Sequence, residues 1–207
     1  MPLFDRLFAA AYDRVLASSE RAGLTARRSE LLADLTGHVV ELGAGTGANL
    51  VAYGPGIERL TLLEPSTPMA DRLRARVATT ALDAEVEVLA APGEALPLPD
   101  ASVDTVVSTL VLCTVDDLAR TLDEVDRVLR PGGRLVLIEH VAADDVRTAR
   151  LQRLLRRPWL VVGRGCHLDR DPRAALAARG WDTSALENVA LPMPMPTRPG
   201  QAGSVTR

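Results

Sequence analysis

The chain has 207 residues, of which 47% are hydrophobic and 25% are charged, and this is the balance of an ordinary globular protein. Such a length provides enough chain for one domain with a full core. The formal net charge of -3 gives no electrostatic reason to expect nucleic acid or an anionic membrane surface as a partner.

The amino-terminal segment predicts two helices. Apolar residues recur at helical spacing along one face of the first helix, at Leu3, Phe4, Leu7, Phe8, Ala11 and Val15. Acidic and basic residues balance in this helix, whereas helices that seek a membrane surface are usually basic. We therefore favour a helix that packs on the domain as a lid. A second helix is predicted over 25–35, ended by Gly37.

Strand and helix patterns alternate after Gly37. Strands are predicted over 38–42, 59–64, 84–90, 102–112 and 134–140. Helices are predicted between them, over 46–54, 65–81 and 115–130. This alternation is typical of βαβ units in a parallel sheet, so we expect a doubly wound α/β fold. The segment 191–200 contains four prolines and must be extended, but it cannot form a central strand.

No run of residues approaches the ~18 apolar positions that a membrane span requires, so no stable membrane insertion is expected. Asp5 and Arg6 interrupt the first helix too early for a signal peptide, which predicts a cytoplasmic protein. Cys113 and Cys166 lie far apart and neither belongs to a CxxC pair. This spacing suggests neither a disulfide framework nor a metal site.

The stretch HVVELGAGTGANL places Gly43, Gly45 and Gly47 between a strand and a helix, where a backbone without Cβ atoms can approach a ligand. A nicotinamide fold would show G-x-G-x-x-G and a pyrophosphate. Here the spacing is G-x-G-x-G and Glu41 precedes it. This carboxylate would repel a pyrophosphate but suits an ammonium or sulfonium, which favours S-adenosylmethionine. Glu64 ends the next strand, where it can accept hydrogen bonds from ribose hydroxyls.

Several motifs together resemble the class I S-adenosylmethionine-dependent methyltransferases over residues 30–145: VVELGAGTG, LLEPS, APGEALPLPDASVDTVVSTLVLCTV, EVDRVLRPGG and IEHVAA. More narrowly, TLVLCTV, RVLRPGG, EHVAA and GCHLDR resemble the thiol S-methyltransferases and their bacterial relatives, up to about residue 172. The resemblance implies a Rossmann-like sheet of seven strands with the last antiparallel, and amino-terminal helices. It also implies a helical lid over 1–36, a cofactor core over 37–145 and an acceptor-side helix with a hairpin over 146–207.

The resemblance assigns cofactor roles to particular residues. The methionine portion would lie against the loop from Gly43 through Ala44, Gly45 and Thr46 to Gly47, with Glu41 supporting its ammonium through nearby groups or water. Pro65 and Met69 would flank the adenine. The adenine edge would meet Gly93, Glu94 and Ala95, and the methionine end would meet Thr109 and Leu110. Many relatives have Asp-Ala where this chain has Pro92-Gly93. The thiol-methylating subgroup also shows Gly-Glu at this point.

The acceptor side offers fewer motifs. His140 ends a strand at the ligand-binding edge and is the candidate catalytic base, unless local hydrogen bonds satisfy it. Glu139 either orients His140 or faces solvent. Candidates for the acceptor pocket are Tyr12, Cys113, His167, Met193 and Met195. Cys113 is also explained as a small buried apolar residue, and the methionines as part of a surface connection.

The resulting hypothesis is a methyltransferase that uses S-adenosylmethionine and acts on a small molecule, with a thiol as the favoured acceptor. Alternatives within the class are O-, N- or C-methylation of a natural product, a quinone or a phospholipid head group. The alternatives of another class are a nicotinamide-dependent oxidoreductase and a cofactor-binding protein without catalysis.

Overall fold

The computed structural model describes residues 2–207, with side chains described from residue 9 onward. Its centre is a seven-stranded sheet in the order β3-β2-β1-β4-β5-β7-β6. The strands are β1 (Gly37–Leu42), β2 (Ile57–Leu63), β3 (Glu85–Leu89), β4 (Val103–Thr109), β5 (Leu129–His140), β6 (Glu187–Ala190) and β7 (Pro199–Thr206). β1 to β5 pair in parallel, and β7 pairs antiparallel with β5 and β6. The predicted seven-stranded α/β sheet with an antiparallel last strand is confirmed.

The helices are α1 (Pro2–Ser19), α2 (Thr25–Leu32), α3 (Thr67–Val77), α4 (Leu118–Val128), α5 (Val146–Val162) and α6 (Pro172–Ala177). A π-helical turn, Glu20–Leu24, joins α1 to α2. Aspartates cap three of the helices: Asp117, Asp145 and Asp171 each accept a hydrogen bond from the backbone N–H three residues on. None of the helices in residues 2–207 combines the length and the apolarity that a bilayer crossing needs.

Alternating side chains of the central strands fill the core on the two faces of the sheet. One face packs with α4 and contains Val40, Val106 and Leu135. The opposite face packs with α2 and α3 and contains Val39, Val107 and Val136. All six side chains are buried, which explains why these strands read as continuous apolar runs in the sequence.

The segment after the glycine motif differs from the sequence prediction. The predicted helix over 46–54 is wrong, because this segment forms successive turns in place of an α-helix. Gly47 N–H donates to Ala44 O at 2.9 Å, and Ala52 N–H donates to Asn49 O at 2.8 Å, which is the spacing of turns. Gly43, Gly45 and Gly47 adopt positive φ angles of 53°, 59° and 87°, and only Gly47 lies within the segment, where its φ is incompatible with the first turn of a regular helix.

The face of α1 that meets the protein also differs in part from the prediction. The side chains of Leu3, Phe4, Leu7 and Phe8 lie outside the described residues. Ala11 is exposed and Val15 is 70% exposed, so this part of the predicted apolar face is wrong. Tyr12, Asp13 and Leu16 are partly buried instead. Polar contacts of Asp13, described below, turn this side of α1 toward the sheet.

Candidate functional site

A cleft of about 390 Å³ lies at the carboxyl ends of β1, β2 and β4. In doubly wound sheets this is the edge at which ligands bind, because the loops that leave the strands surround it. The structure brings many of the predicted site residues together here. Those that line the cleft are Tyr12, Gly43, Gly45, Glu64, Pro65, Met69, Gly93, Glu94, Thr109 and Leu110.

The other predicted cofactor residues lie behind or beside the cleft. Ala44 is buried, and its N–H donates to Leu63 O at 2.8 Å, which fastens the glycine loop to β2. The Thr46 hydroxyl donates to Asp13 Oδ1 at 2.5 Å and so points toward α1. Gly47 follows the turn, and Ala95 is exposed. Among the described residues, none of these four positions lines the cleft.

Glu64 is the charged group most deeply set in the cleft wall. It is 6% exposed, and its two carboxylate oxygens accept hydrogen bonds from Gly45 N–H at 2.9 Å and Ser66 N–H at 2.8 Å. Burial raises the pKa of Glu64, whereas these two N–H groups lower it. Each oxygen has a further lone pair, so the carboxylate can still accept hydrogen bonds from two hydroxyl groups of a ligand.

Glu41 belongs to a buried network on the far side of the glycine loop. Its carboxylate accepts hydrogen bonds from Asn49 Nδ2 at 2.8 Å and from the Tyr53 hydroxyl at 2.7 Å. Arg28 donates to Asn49 Oδ1 at 2.6 Å, and Asn49 also donates to the Thr109 hydroxyl at 3.1 Å. Any influence of Glu41 on a ligand therefore passes through Asn49 and Thr109. Burial raises the pKa of Glu41 to about 7.

Glu139 holds the turn that follows β4. Its side chain is fully buried and accepts hydrogen bonds from the Ser108 hydroxyl at 2.7 Å and from the N–H groups of Val111 and Leu112 at 2.9 and 3.0 Å. Both predicted roles of Glu139 are wrong, because it neither orients His140 nor faces solvent. The turn that it holds includes Leu110, whose positive φ of 60° is uncommon for a residue with a side chain.

A second turn borders the cleft opposite the glycine loop. The Glu94 carboxylate accepts a hydrogen bond from Asp117 N–H at 3.1 Å, at the start of α4. The Glu94 carbonyl accepts one from Arg120 Nε at 3.0 Å. Gly93 lies against Thr121, since an added Cβ would approach the Thr121 methyl to 3.1 Å. These contacts hold Gly93 and Glu94, the residues that the resemblance places at the edge of the adenine.

His140, the predicted base, is buried behind the cleft together with both cysteines. Its Nε2 lies 2.8 Å from Cys166 Sγ, and the Trp159 Nε1–H donates to the same sulfur at 3.2 Å. A hydrogen bond from Cys113, assisted by His140, lowers the pKa of Cys166 and raises that of Cys113. His140 and Cys113 are not among the described residues that line the cleft. The catalytic role of His140 stays a prediction, and the geometry gives it no direct access to a ligand in the cleft.

The remaining acceptor candidates are spread around the cleft. Tyr12 lines it, and burial raises the pKa of its phenol to about 12. His167 is half-buried, its N–H donates to Cys113 O at 2.7 Å, and burial lowers its pKa. Met193 packs against the apolar cluster that includes Leu110, whereas Met195 is 44% exposed. Among the described residues, His167 and the two methionines do not line the cleft.

Part of the cleft wall was not predicted. It comes from the turn after β4 and from the segment after α5, and its residues are Val111, Thr114, Val115, Asp116, Gly163 and Arg164. Ser66 and Pro92 also line the cleft. The one signal in the sequence is the Gly-Arg-Gly turn at 163–165, which ends a helix rich in arginine.

Comparison with known proteins agrees with this geometry. The family model described as a methyltransferase domain matches residues 40–137. The human thiol S-methyltransferase TMT1A is 38% identical over 157 residues, which cover 75% of this chain and 64% of the relative. Human thiol S-methyltransferase TMT1B is 36% identical over 167 residues, which cover 76% of this chain and 68% of the relative. The matched region thus spans about two thirds of these relatives.

A solved structure shows the same fold along nearly the whole chain. The crystal structure of an S-adenosylmethionine-dependent methyltransferase from Thermotoga maritima superposes with a TM-score of 0.68. The match covers 99% of this chain and 97% of that chain, at 22% sequence identity. At this identity the likeness establishes the fold alone.

Replacing Glu41 by Gln tests the buried network. The folded-state pKa is raised from 4.5 to about 7, so the protonated carboxyl favours folding below pH 4.5 and this advantage is lost as the pH rises through about 7. Between about pH 4.5 and pH 8, the free energy of unfolding should fall more steeply in the wild type than in Glu41→Gln, by about 2–3 kcal/mol. Urea titrations at stepped pH measure this difference. Parallel pH profiles would contradict the assignment.

Proposed function

The chain belongs to the class I S-adenosylmethionine-dependent methyltransferases, and we propose that the acceptor of its methyl group is a small-molecule thiol. S-Adenosylmethionine is the methyl donor of this family. The observation that carries the proposal is the cleft itself, in which the glycine loop, Glu64 and the Thr109-Leu110 turn surround one volume. The sequence identity to the human thiol S-methyltransferases, 38% over 157 residues and 36% over 167 residues, supports the choice of acceptor.

The contacts of the cleft suggest how the cofactor lies. The methionine portion would lie beside Gly43 and Gly45, near the hydroxyl of Thr109, which Asn49 holds in place. The ribose hydroxyls would donate to Glu64, whose oxygens keep free lone pairs. The adenine would lie against Met69. Ala95 takes no part in this arrangement, because it is exposed and lies outside the cleft wall.

Methyl transfer to a thiol is an in-line displacement. The thiolate sulfur attacks the methyl carbon, the bond from that carbon to the sulfonium sulfur breaks, and S-adenosylhomocysteine leaves. The thiol proton is released to solvent, and a reference pKa near 8.5 already provides some thiolate at neutral pH. The protein therefore contributes mainly alignment and exclusion of water.

Tyr12 has the position and the protonation state to assist this alignment. With a pKa of about 12, its phenol stays protonated at neutral pH and donates a hydrogen bond; it does not act as a base. No side chain that lines the cleft is assigned as a general base, because the chemistry requires none. This differs from the sequence hypothesis, in which His140 would accept the thiol proton.

We also propose that the three segments inferred from the sequence have separate roles. Residues 1–36 would cover the cofactor, 37–145 would bind it, and 146–207 would complete the acceptor side. Two contacts support a covering role for α1: Asp13 accepts from the Thr46 hydroxyl at 2.5 Å and pairs with Arg76 of α3 at 3.0 Å. Action in the cytoplasm stays a prediction of the sequence.

An acceptor panel tests the proposed function. The protein is incubated with methyl-labelled S-adenosylmethionine and matched sets of thiols, amines, phenols and quinones, and the products are identified by mass spectrometry. We expect label in thiols that is absent when the protein is omitted. Label in amines, phenols or quinones but never in thiols would overturn the acceptor and leave the enzyme class intact. Cofactor binding without any methylated product would favour a non-catalytic role.

Replacing Glu64 by Gln should weaken the binding of S-adenosylhomocysteine by about 10- to 100-fold. The amide loses the charge that accepts the ribose hydroxyls, and its NH₂ group faces an N–H donor of Gly45 or Ser66. Isothermal titration calorimetry measures the affinity. Glu58→Gln is the matched control, because Glu58 is exposed on β2, the strand that precedes Glu64, and this variant should bind as the wild type does. Equal affinities in both variants would remove Glu64 from the site.

Replacing Asp13 by Ala tests the covering role of α1. Both polar contacts of Asp13, with Thr46 and Arg76, are lost, so we expect the affinity for S-adenosylhomocysteine to fall about 3- to 10-fold. Arg14→Ala, an exposed neighbour on the same helix, serves as the control and should leave the affinity unchanged. An Asp13→Ala variant that binds as the wild type does would show that α1 only packs against the domain.

A further inference from the structure

Three sulfur and nitrogen ligand atoms converge behind the cleft. Cys113 lies in the turn after β4, His140 ends β5, and Cys166 lies between α5 and α6. One ligand atom from each, the two sulfurs and an imidazole nitrogen, all lie within 4.8 Å of one another. The three residues are only 1%, 2% and 7% exposed. The fold thus places three good metal ligands from distant parts of the sequence in one buried cluster.

We propose that Cys113, His140 and Cys166 bind a zinc ion. Thiolate and imidazole are the ligands that zinc prefers, and a set of two cysteines and one histidine is known among zinc sites. Carboxylate-binding ions such as Mg²⁺ and Ca²⁺ do not fit, because the cluster offers no oxygen ligand among its three members. Methyl transfer by in-line displacement needs no metal, so the site goes beyond the proposed function.

The spacing of the cluster suits one ion with small adjustments. Zinc bonds of about 2.3 Å to sulfur and 2.0–2.1 Å to nitrogen place tetrahedral ligand atoms about 3.5–3.8 Å apart. His140 Nε2 lies 2.8 Å from Cys166 Sγ, and no pair of ligand atoms is separated by more than 4.8 Å. Side-chain rotations that move these atoms by about 1 Å therefore convert the cluster into a coordination shell.

The unpartnered ring nitrogen and the two buried sulfurs of the cluster also favour a bound cation. Nδ1 of His140 is buried and has no hydrogen-bond partner among the described residues. Leaving a buried polar atom unsatisfied costs free energy, and a metal ion bound at that nitrogen would satisfy it. In a neutral imidazole either Nδ1 or Nε2 can bind a metal ion. A divalent ion also neutralises two thiolates, which could not otherwise both be charged in a buried site.

A zinc ion at this position would join two walls of the cleft. Thr114 and Val115 follow Cys113, and Gly163 and Arg164 precede Cys166, and all four line the cleft. Hydrogen bonds already link the two segments near the cysteines: His167 N–H donates to Cys113 O at 2.7 Å, and Arg170 donates to Leu112 O at 2.7 Å. With three protein ligands, the ion keeps one coordination position for a water molecule.

Metal analysis of the purified full chain tests the site. The protein is loaded with Zn²⁺, desalted and measured by inductively coupled plasma mass spectrometry, and about one zinc per chain is expected. Cys113→Ser, Cys166→Ser and His140→Ala should each lower the content about tenfold. His38→Gln is the matched control, since His38 bonds to Ser102 and Thr61 away from the cluster and its variant should retain the metal.

A second measurement uses the unmodified chain and so does not depend on the folding of a variant. Substitution with Co²⁺ should give the intense thiolate-to-cobalt absorption and the visible bands of a tetrahedral site. Less than about 0.1 metal per loaded wild-type chain, or equal contents in wild type and cysteine variants, would overturn the proposal. An intact mass that reveals a Cys113–Cys166 disulfide in freshly purified protein would also overturn it. These measurements do not depend on methyl transfer, so a negative result for the zinc site leaves the proposed function untouched, and the reverse also holds.

Discussion

The glycine loop keeps its shape through the carboxylate of Glu64. A strand that ends in a parallel sheet leaves backbone N–H groups of the next loop without partners, and burial makes this costly. Glu64 accepts one such group from Gly45 and another from Ser66, so a single side chain fixes both the loop after β1 and the entrance to α3. Together with the hydrogen bond from Ala44 N–H to Leu63 O, these two hydrogen bonds hold this side of the cleft.

Two further buried carboxylates follow the same principle with different partners. Glu139 satisfies the N–H groups of the turn after β4, and Glu41 satisfies side-chain donors behind the loop. The sequence suggests that Glu41 supplies the negative charge that a cationic cofactor meets. Glu41 does not line the cleft, and burial raises its pKa to about 7, whereas Glu64 lies in the cleft wall. Of these two carboxylates, Glu64 is therefore the one that a ligand in the cleft would meet.

The sequence predicts those features of the fold that the local periodicity of apolar residues determines. Alternating apolar runs identify the strands, and glycine spacing with Glu64 identifies the cofactor edge. It does not predict contacts between distant segments, such as Glu139 with Val111 or Cys113 with Cys166. The turns over 46–54 were missed for another reason. Their apolar pattern is compatible with a helix, whereas the hydrogen bonds that form, such as Ala52 N–H to Asn49 O, join residues three apart.

The antiparallel pairing of β7 with β5 has a consequence for the side chains of β7. The register places Gln201 opposite Glu139 and Gly200 opposite His140. Since successive side chains of a strand point to opposite faces, a slip of β7 by one residue would send Gln201 to the other face, away from Arg173 N–H and Asp171, with which it forms hydrogen bonds. An insertion engineered near residues 199–206 must therefore add an even number of residues, so that the side chains of β7 keep their faces.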